Sequence, residues 1–224
     1  MTIKHVLNLT SLKDQVYMYL SDQMKKGVLK PGTAINMDKT SEHLGVSKTP
    51  MRDALIRLEV EGFVTIHPRR GVVVNPLTLQ EIRDYYQVIG ALESTALLSG
   101  SASLEDSHVE KMLRLNKAMI EALKKRNFGV YYQKNLDLHD IYINSAGNRI
   151  IKMTVDTLKK RLYDFPRPKD YVREWEEDSI KEHQALIDLI AEEKFQEAAA
   201  YIRDVHWSFE VQEKYLRKYY LFDE

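Results

Sequence analysis

Three imidazoles and one amide are the side chains of this 224-residue sequence best suited to assemble a reactive centre. Asn135 and His139 stand four residues apart, and a helix brings positions i and i+4 onto one face. His183 lies in the run KEHQALIDLI and His206 in RDVH. Three imidazoles from three helices, joined by an amide oxygen, form a donor set for a divalent cation, with one or two positions left for water or ligand. Imidazole-rich sets suit Zn²⁺ first, with Ni²⁺, Mn²⁺ and Fe²⁺ as alternatives. The same histidines also fit the more frequent role of hydrogen-bonded core residues. With no Cys in the chain, a metal must be held by His, Asp, Glu, Asn or water. Asp140 and Glu182 are near enough in sequence to orient the imidazoles. An open position on three His also describes a metal-dependent hydrolytic enzyme, but no H-E-x-x-H spacing ties a carboxylate to any of them.

A second group suits polyanions. Ser47, Lys48, Thr49 and Arg52 cluster at the start of one helix-like run, and Arg69 and Arg70 occupy the turn HPRRG. Lys and Arg neutralise phosphates, and Arg can also read guanine bidentately in a major groove. Any one of these cations is explained by a solvated surface. Their grouping at both ends of one presumed docking face favours double-stranded DNA.

For these cations to act together, short elements must hold them. Ser11 and Asp14 form a capping box opening a helix with Val16, Tyr17, Leu20 and Met24 on one face, and Gly27 is its stop. Residues 38–44 form a second short helix closed by Gly45. Thr49 caps a third helix with Pro50 at its first position, and Met51, Ala54, Leu55 and Leu58 make its buried stripe before Gly62 ends it. Residues 63–66 and 72–74 are strand-like around the Pro-Arg-Arg-Gly turn. Three helices and a two-stranded wing make a winged helix-turn-helix over residues 1–76. The short turn between helices two and three carries the third helix's N-terminal residues into a major groove, and the wing's arginines reach phosphates or the minor groove.

Asn75-Pro76-Leu77 reads as a linker, and Thr78 with Glu81 caps the first helix of a second domain over residues 77–224. Its helical runs are 79–98, 104–126, 128–145, 149–164, 180–192 and 195–220, with no strand among them, so the fold class is mainly α, the second domain being an antiparallel bundle of about six helices. The stretch PRPKDYVREWEE is a charged, irregular connector. Ser179 and Glu182 read as a capping box that puts His183 in the first turn of its helix, with His206 in the middle of the last one. The tyrosine pairs at 85–86, 131–132 and 219–220 place one ring inward and one outward, and Trp175 and Trp207 read as packing residues.

Composition narrows the partners. The net charge is zero, yet residues 1–76 hold 11 Lys+Arg against 7 Asp+Glu, leaving 22 against 26 for the rest. The basic end coincides with the winged helix, as a polyanion partner requires. There is no signal-peptide apolar region and no run of 18 apolar residues, which implies a cytoplasmic protein without a membrane partner.

GVLKPG, EHLGVSKTPMRDALIRLEVEGFV and the Pro-Arg-Arg-Gly wing resemble the N-terminal domain of the GntR family of bacterial transcription regulators. LDLHDIYINSAGN, KEHQALIDLI and RDVH resemble the FadR-type, all-helical ligand domain of that family, in the branch that often carries a metal. The resemblance spans nearly the whole chain. It implies a homodimer on a palindromic operator, acting as a repressor or related regulator rather than an enzyme, and responding to a small metabolite. The DNA contacts it implies are Ser47, Lys48, Thr49 and Arg52, with Arg69, Arg70 and Gly71 at the wing. The metal set it implies is Asn135, His139, His183 and His206, and a carboxylate effector would bridge the metal and an arginine, Arg161 or Arg203. This sequence departs from the family pattern at several positions. Asp38 and Lys48 stand where Arg is commoner, Asn135 occupies a carboxylate slot, and Ile89 replaces an Arg ahead of the Leu-Glu pair.

Overall fold

The computed structural model describes residues 11–164 and 172–220. These divide between Leu77 and Thr78 into two compact units, Tyr163 and Asp164 being grouped with the first.

The first unit is built on α1 (Leu12–Lys25), α2 (Met37–Leu44) and α3 (Lys48–Val60). Ser11 caps α1, its side chain accepting from the Asp14 N–H. The expected stripe of α3 is fully buried, together with Val16, Tyr17, Leu20 and Met24 of α1. Each Met, Leu and Val side chain among them contributes on the order of 1.5–3 kcal/mol when removed from water. α3 begins earlier than its Pro suggests, with Ser47 rather than Thr49 at the cap and Pro50 as the third helical residue. Pro is tolerated there because the first-turn N–H groups have no helical acceptor.

The wing strands are β2 (Val64–His67) and β3 (Gly71–Val74), paired from Val64↔Val74 to His67↔Gly71. A third strand that the sequence did not signal, β1 (Ala34–Ile35), pairs antiparallel with β3 through Ala34↔Val73 and Ile35↔Val72, giving the order β1-β3-β2. Two residues carry too little alternation to register as a strand. They nevertheless bury Ile35 and tie the α1–α2 connection to the wing. At the wing tip Arg69 adopts φ 63° and Gly71 φ 99°. The first is uncommon for a side-chain-bearing residue and marks a tight turn.

The second unit comprises α4 (Leu79–Gly100), α5 (Asp106–Lys124), α6 (Phe128–Ser145), α7 (Arg149–Tyr163), α8 (Arg173–Ala191), α9 (Phe195–Tyr201) and α10 (Phe209–Tyr220). The Thr78/Glu81 capping box opens α4. α6 packs on α4 and α5, α5 on α8, and α9 on α4 and α8. Two expectations change. α8 starts at Arg173, so Ser179 is mid-helix and not a cap, and part of the expected irregular connector is helical. Residues 166–171 of that connector lie outside the described residues. The final helix is interrupted: Ile202–His206 form a π-helical turn, and α10 restarts at Phe209. Among the described residues no helix is long and apolar enough to cross a membrane.

Candidate metal centre and nucleic-acid interface

α6, α8 and the π turn each deliver one imidazole to a common point. His139 and His183 are completely buried and the His206 side chain is 10% exposed. One ligand nitrogen from each lies within 4.8 Å of the others. The His139 and His183 Nε2 atoms are 3.2 Å apart. The π turn matters here, because its extra residue rotates the following side chains relative to an α-helix. His206 and the adjacent Trp207 both turn inward as a result.

Hydrogen bonds fix the tautomers. His139 Nδ1 faces Glu93 Oε2 at 2.8 Å and the Tyr142 hydroxyl at 2.6 Å. Tyr142 donates to Glu93 Oε2 at 2.6 Å, and the Trp207 indole N–H donates to the same oxygen at 2.9 Å. The other carboxylate oxygen meets Lys159 Nζ at 2.5 Å, with both side chains almost fully buried. His206 Nδ1 lies 2.7 Å from Glu182 Oε2, and Gln212 donates to Glu182 Oε1 at 2.8 Å while accepting from Trp175 Nε1 at 2.9 Å. A carboxylate on Nδ1 keeps the proton there and leaves Nε2 as a lone pair, so two carboxylate–histidine pairs present Nε2 donors.

Electrostatics favour the neutral form of two of the rings. Burial, then the nearby Lys159 ammonium, pushes His139 down to about 4, against the pull of Glu93. Burial also holds His183 well below its usual range. For Glu93, burial alone would raise the carboxyl, but Lys159 and His139 outweigh it and hold it well below. His183 Nδ1 is buried and makes no hydrogen bond, so this ring is incompletely satisfied by protein alone. Three imidazoles with that orphaned nitrogen fit a divalent cation. Asn135, 6% exposed and one turn before His139 on α6, adds a neutral amide at most.

The expected effector arginines lie elsewhere in this unit. Arg161 is buried; burial lowers its pKa, opposed by Tyr85 and Glu81. Arg203 is exposed, pairs with Asp204 at 2.6 Å, and lines a cleft of about 570 Å³ with Arg83, Gln87 and Trp207. Neither is among the groups bonded to the imidazoles. The buried cation at the centre is Lys159, which sequence reasoning missed together with Glu93. Both were visible as charges interrupting apolar stripes: Ile82, Tyr86, Ile89, Glu93, Ala96 on α4, and Ile151, Val155, Lys159, Leu162 on α7. Glu182 holds His206, whereas Asp140 pairs with Lys152.

In the first unit Ser47, Lys48, Thr49 and Arg52 are exposed at the start of α3, and Arg69, Arg70 and Gly71 are exposed at the wing tip. The Ser47 side chain makes no capping hydrogen bond. Lys48 pairs with Asp38 of α2 at 2.9 Å. Arg57, also off the buried stripe, is held by Asp14 and Glu61 over the Tyr17 ring and serves the fold.

Comparisons with known proteins match both units. Residues 12–74 match the bacterial regulatory proteins of the gntR family, and residues 84–206 match the FCD domain. The chain is 25% identical over 192 residues to the HTH-type transcriptional regulator YdhC of Bacillus subtilis, covering 82% of this chain and 84% of that one. It is 22% identical over 178 residues to the HTH-type transcriptional repressor RspR of Escherichia coli, covering 76% and 78%. The solved structure of E. coli McbR/YncC shares its fold with a TM-score of 0.66 at 19% identity, covering 93% of this chain and 96% of that one. A winged helix joined to an FCD domain, among relatives that are transcription regulators, makes this chain a transcriptional regulator of the GntR family.

Proposed function

We propose that this regulator binds a palindromic operator as a homodimer through α3 and the wing, and that a small carboxylate bound at a metal centre in the helical unit changes its affinity for DNA. The observation that carries the reading is the convergence of His139, His183 and His206 with carboxylates seated on the outer nitrogens of two of them. Isolated core histidines do not need two such pairs, one buried and one partly buried. A bound divalent ion, Zn²⁺ first, would supply a Lewis-acidic anchor for an organic acid. Asn135 contributes no charge, and Lys159 offsets Glu93, so the centre retains positive charge for an anion to neutralise. Repression is the mode suggested by the likeness to the repressor RspR, and the acid would then release the operator.

Metal analysis, DNA binding and turnover assays test it. Purified protein should contain about one divalent ion per chain, lost in His183→Ala, and should enrich a two-fold symmetric duplex from a random pool. Arg52→Ala should weaken that duplex by roughly 1–3 kcal/mol and relax base preference, while Arg69→Ala should mainly lower affinity and the salt slope. Wild-type binding by Arg52→Ala would remove α3 as the reading element. Ester or phosphate turnover that disappears in His183→Ala, with no duplex enriched, would replace the regulator with a hydrolase.

A further inference from the structure

The geometry points to Asp38 as a specificity-determining residue for DNA, acting with Lys48 as a paired acceptor and donor that reads the major-groove edge of one base pair; this rests on the DNA-binding reading above. Asp38 is the second residue of α2 and Lys48 the first of α3, so the pair joins the N-terminal ends of the two helices. Lys48 Nζ and Asp38 Oδ1 are 2.9 Å apart, and their side chains remain 71% and 70% exposed. An ion pair so open to water adds little to stability. Nor does α2 depend on Asp38 for its cap, because Asn36 already accepts from the Lys39 N–H. An acid in the first turn suits the helix dipole, yet the dipole gives no reason for an ammonium beside it.

On a surface that meets phosphates, a carboxylate is repelled unless it finds a donor. In the major groove the donors are the exocyclic amines of cytosine and adenine. In a Watson–Crick pair that amine is hydrogen-bonded to its partner's keto oxygen, so the two lie about 3 Å apart. The ammonium and carboxylate of Lys48 and Asp38 have the same spacing. Asp38 therefore accepts from the amine while Lys48 donates to the keto oxygen. A C·G pair is preferred to A·T, because guanine offers Lys48 both O6 and N7 where thymine offers O4 and a methyl group. On other sequences Asp38 keeps Lys48 largely neutralised, which lowers background affinity.

The test uses the full chain and a duplex enriched from a random pool by the wild type, with every base pair of a half-site replaced in turn. Wild type should discriminate roughly tenfold or more at one C·G pair near the start of α3. Asp38→Ala should flatten that position to under about threefold and leave the others unchanged, while binding unselected duplex more tightly with a steeper salt dependence. Lys48→Ala should lose discrimination at the same pair. Both residues are exposed, so equal melting temperatures will show that the variants fold. Unchanged discrimination in Asp38→Ala, a uniform change at every position, or loss at different pairs in the two variants would overturn the proposal while leaving DNA binding intact. Failure of the wild type to enrich any duplex would instead overturn the DNA-binding reading itself.

Discussion

Lys159 and Glu93 form an ion pair with 4% and 0% side-chain exposure, the most enclosed charges near the three histidines. Removing one partner of such a pair strands the other in a medium that cannot solvate it. Lys159→Met should therefore destabilise the chain by about 3–5 kcal/mol. The double variant Lys159→Met/Glu93→Gln should recover much of this, because no lone charge remains. Urea unfolding of the two variants and of Glu93→Gln alone checks it, and a double-variant loss equal to the sum of the single losses would show that the pair is not coupled. His139 and His183 set the pH response of metal-free protein. Their folded pKa values lie below the unfolded one, with His139 at about 4, so the unfolded chain takes up protons first as pH falls. Their contribution is whole above about pH 6.5 and is lost on the way down to pH 4, with roughly 3 kcal/mol attached to His139. A urea midpoint independent of pH between 7 and 5 would contradict this.

At the scale of elements, the least legible feature is the one that completes the centre. Apolar spacing made α1, α3, α4 and the wing hairpin readable, because each buries a stripe of period 3.6 or alternates with period 2. The π turn at Ile202–His206 leaves no such trace: one added residue rotates a face without altering composition. The same blindness hid β1, whose two residues gain meaning only beside β3. The start of α8 is masked in the sequence because the capping pattern at Ser179 is stronger than the helical signal of Arg173–Glu177. At the centre the imidazoles were legible as a set, but Glu93 and Lys159 belong to helices distant in sequence and become one pair only in the fold. The π turn is seated against Gly90 of α4. A Cβ there would stand 2.9 Å from the Trp207 Cβ and 3.4 Å from the Arg203 Cα. Gly90→Ala should push the turn outward, costing about 1–3 kcal/mol and loosening the Trp207 bond to Glu93. In a Trp175→Phe background, thermal melting and Trp207 fluorescence report both effects. An unshifted emission with wild-type metal content would mean the turn accommodates the methyl group.

For the molecule as a whole, coupling between the helical unit and the winged helix is a thermodynamic quantity with two faces. If a carboxylate bound at the centre weakens operator binding tenfold, saturating operator must weaken carboxylate binding tenfold as well, a coupling of about 1.4 kcal/mol. Calorimetric titration of the acid into free and operator-bound protein measures the second face, and DNA titration with and without the acid measures the first. Unequal factors would mean that the acid acts through something other than binding to this chain. His183→Ala separates the units further. It removes an imidazole from the helical centre and touches no residue of the α3–wing surface, so it should bind operator within about threefold of wild type yet show a coupling near zero. A variant that lost DNA binding together with its metal would instead make the ion a requirement for folding or pairing, and the centre would be structural rather than a sensor.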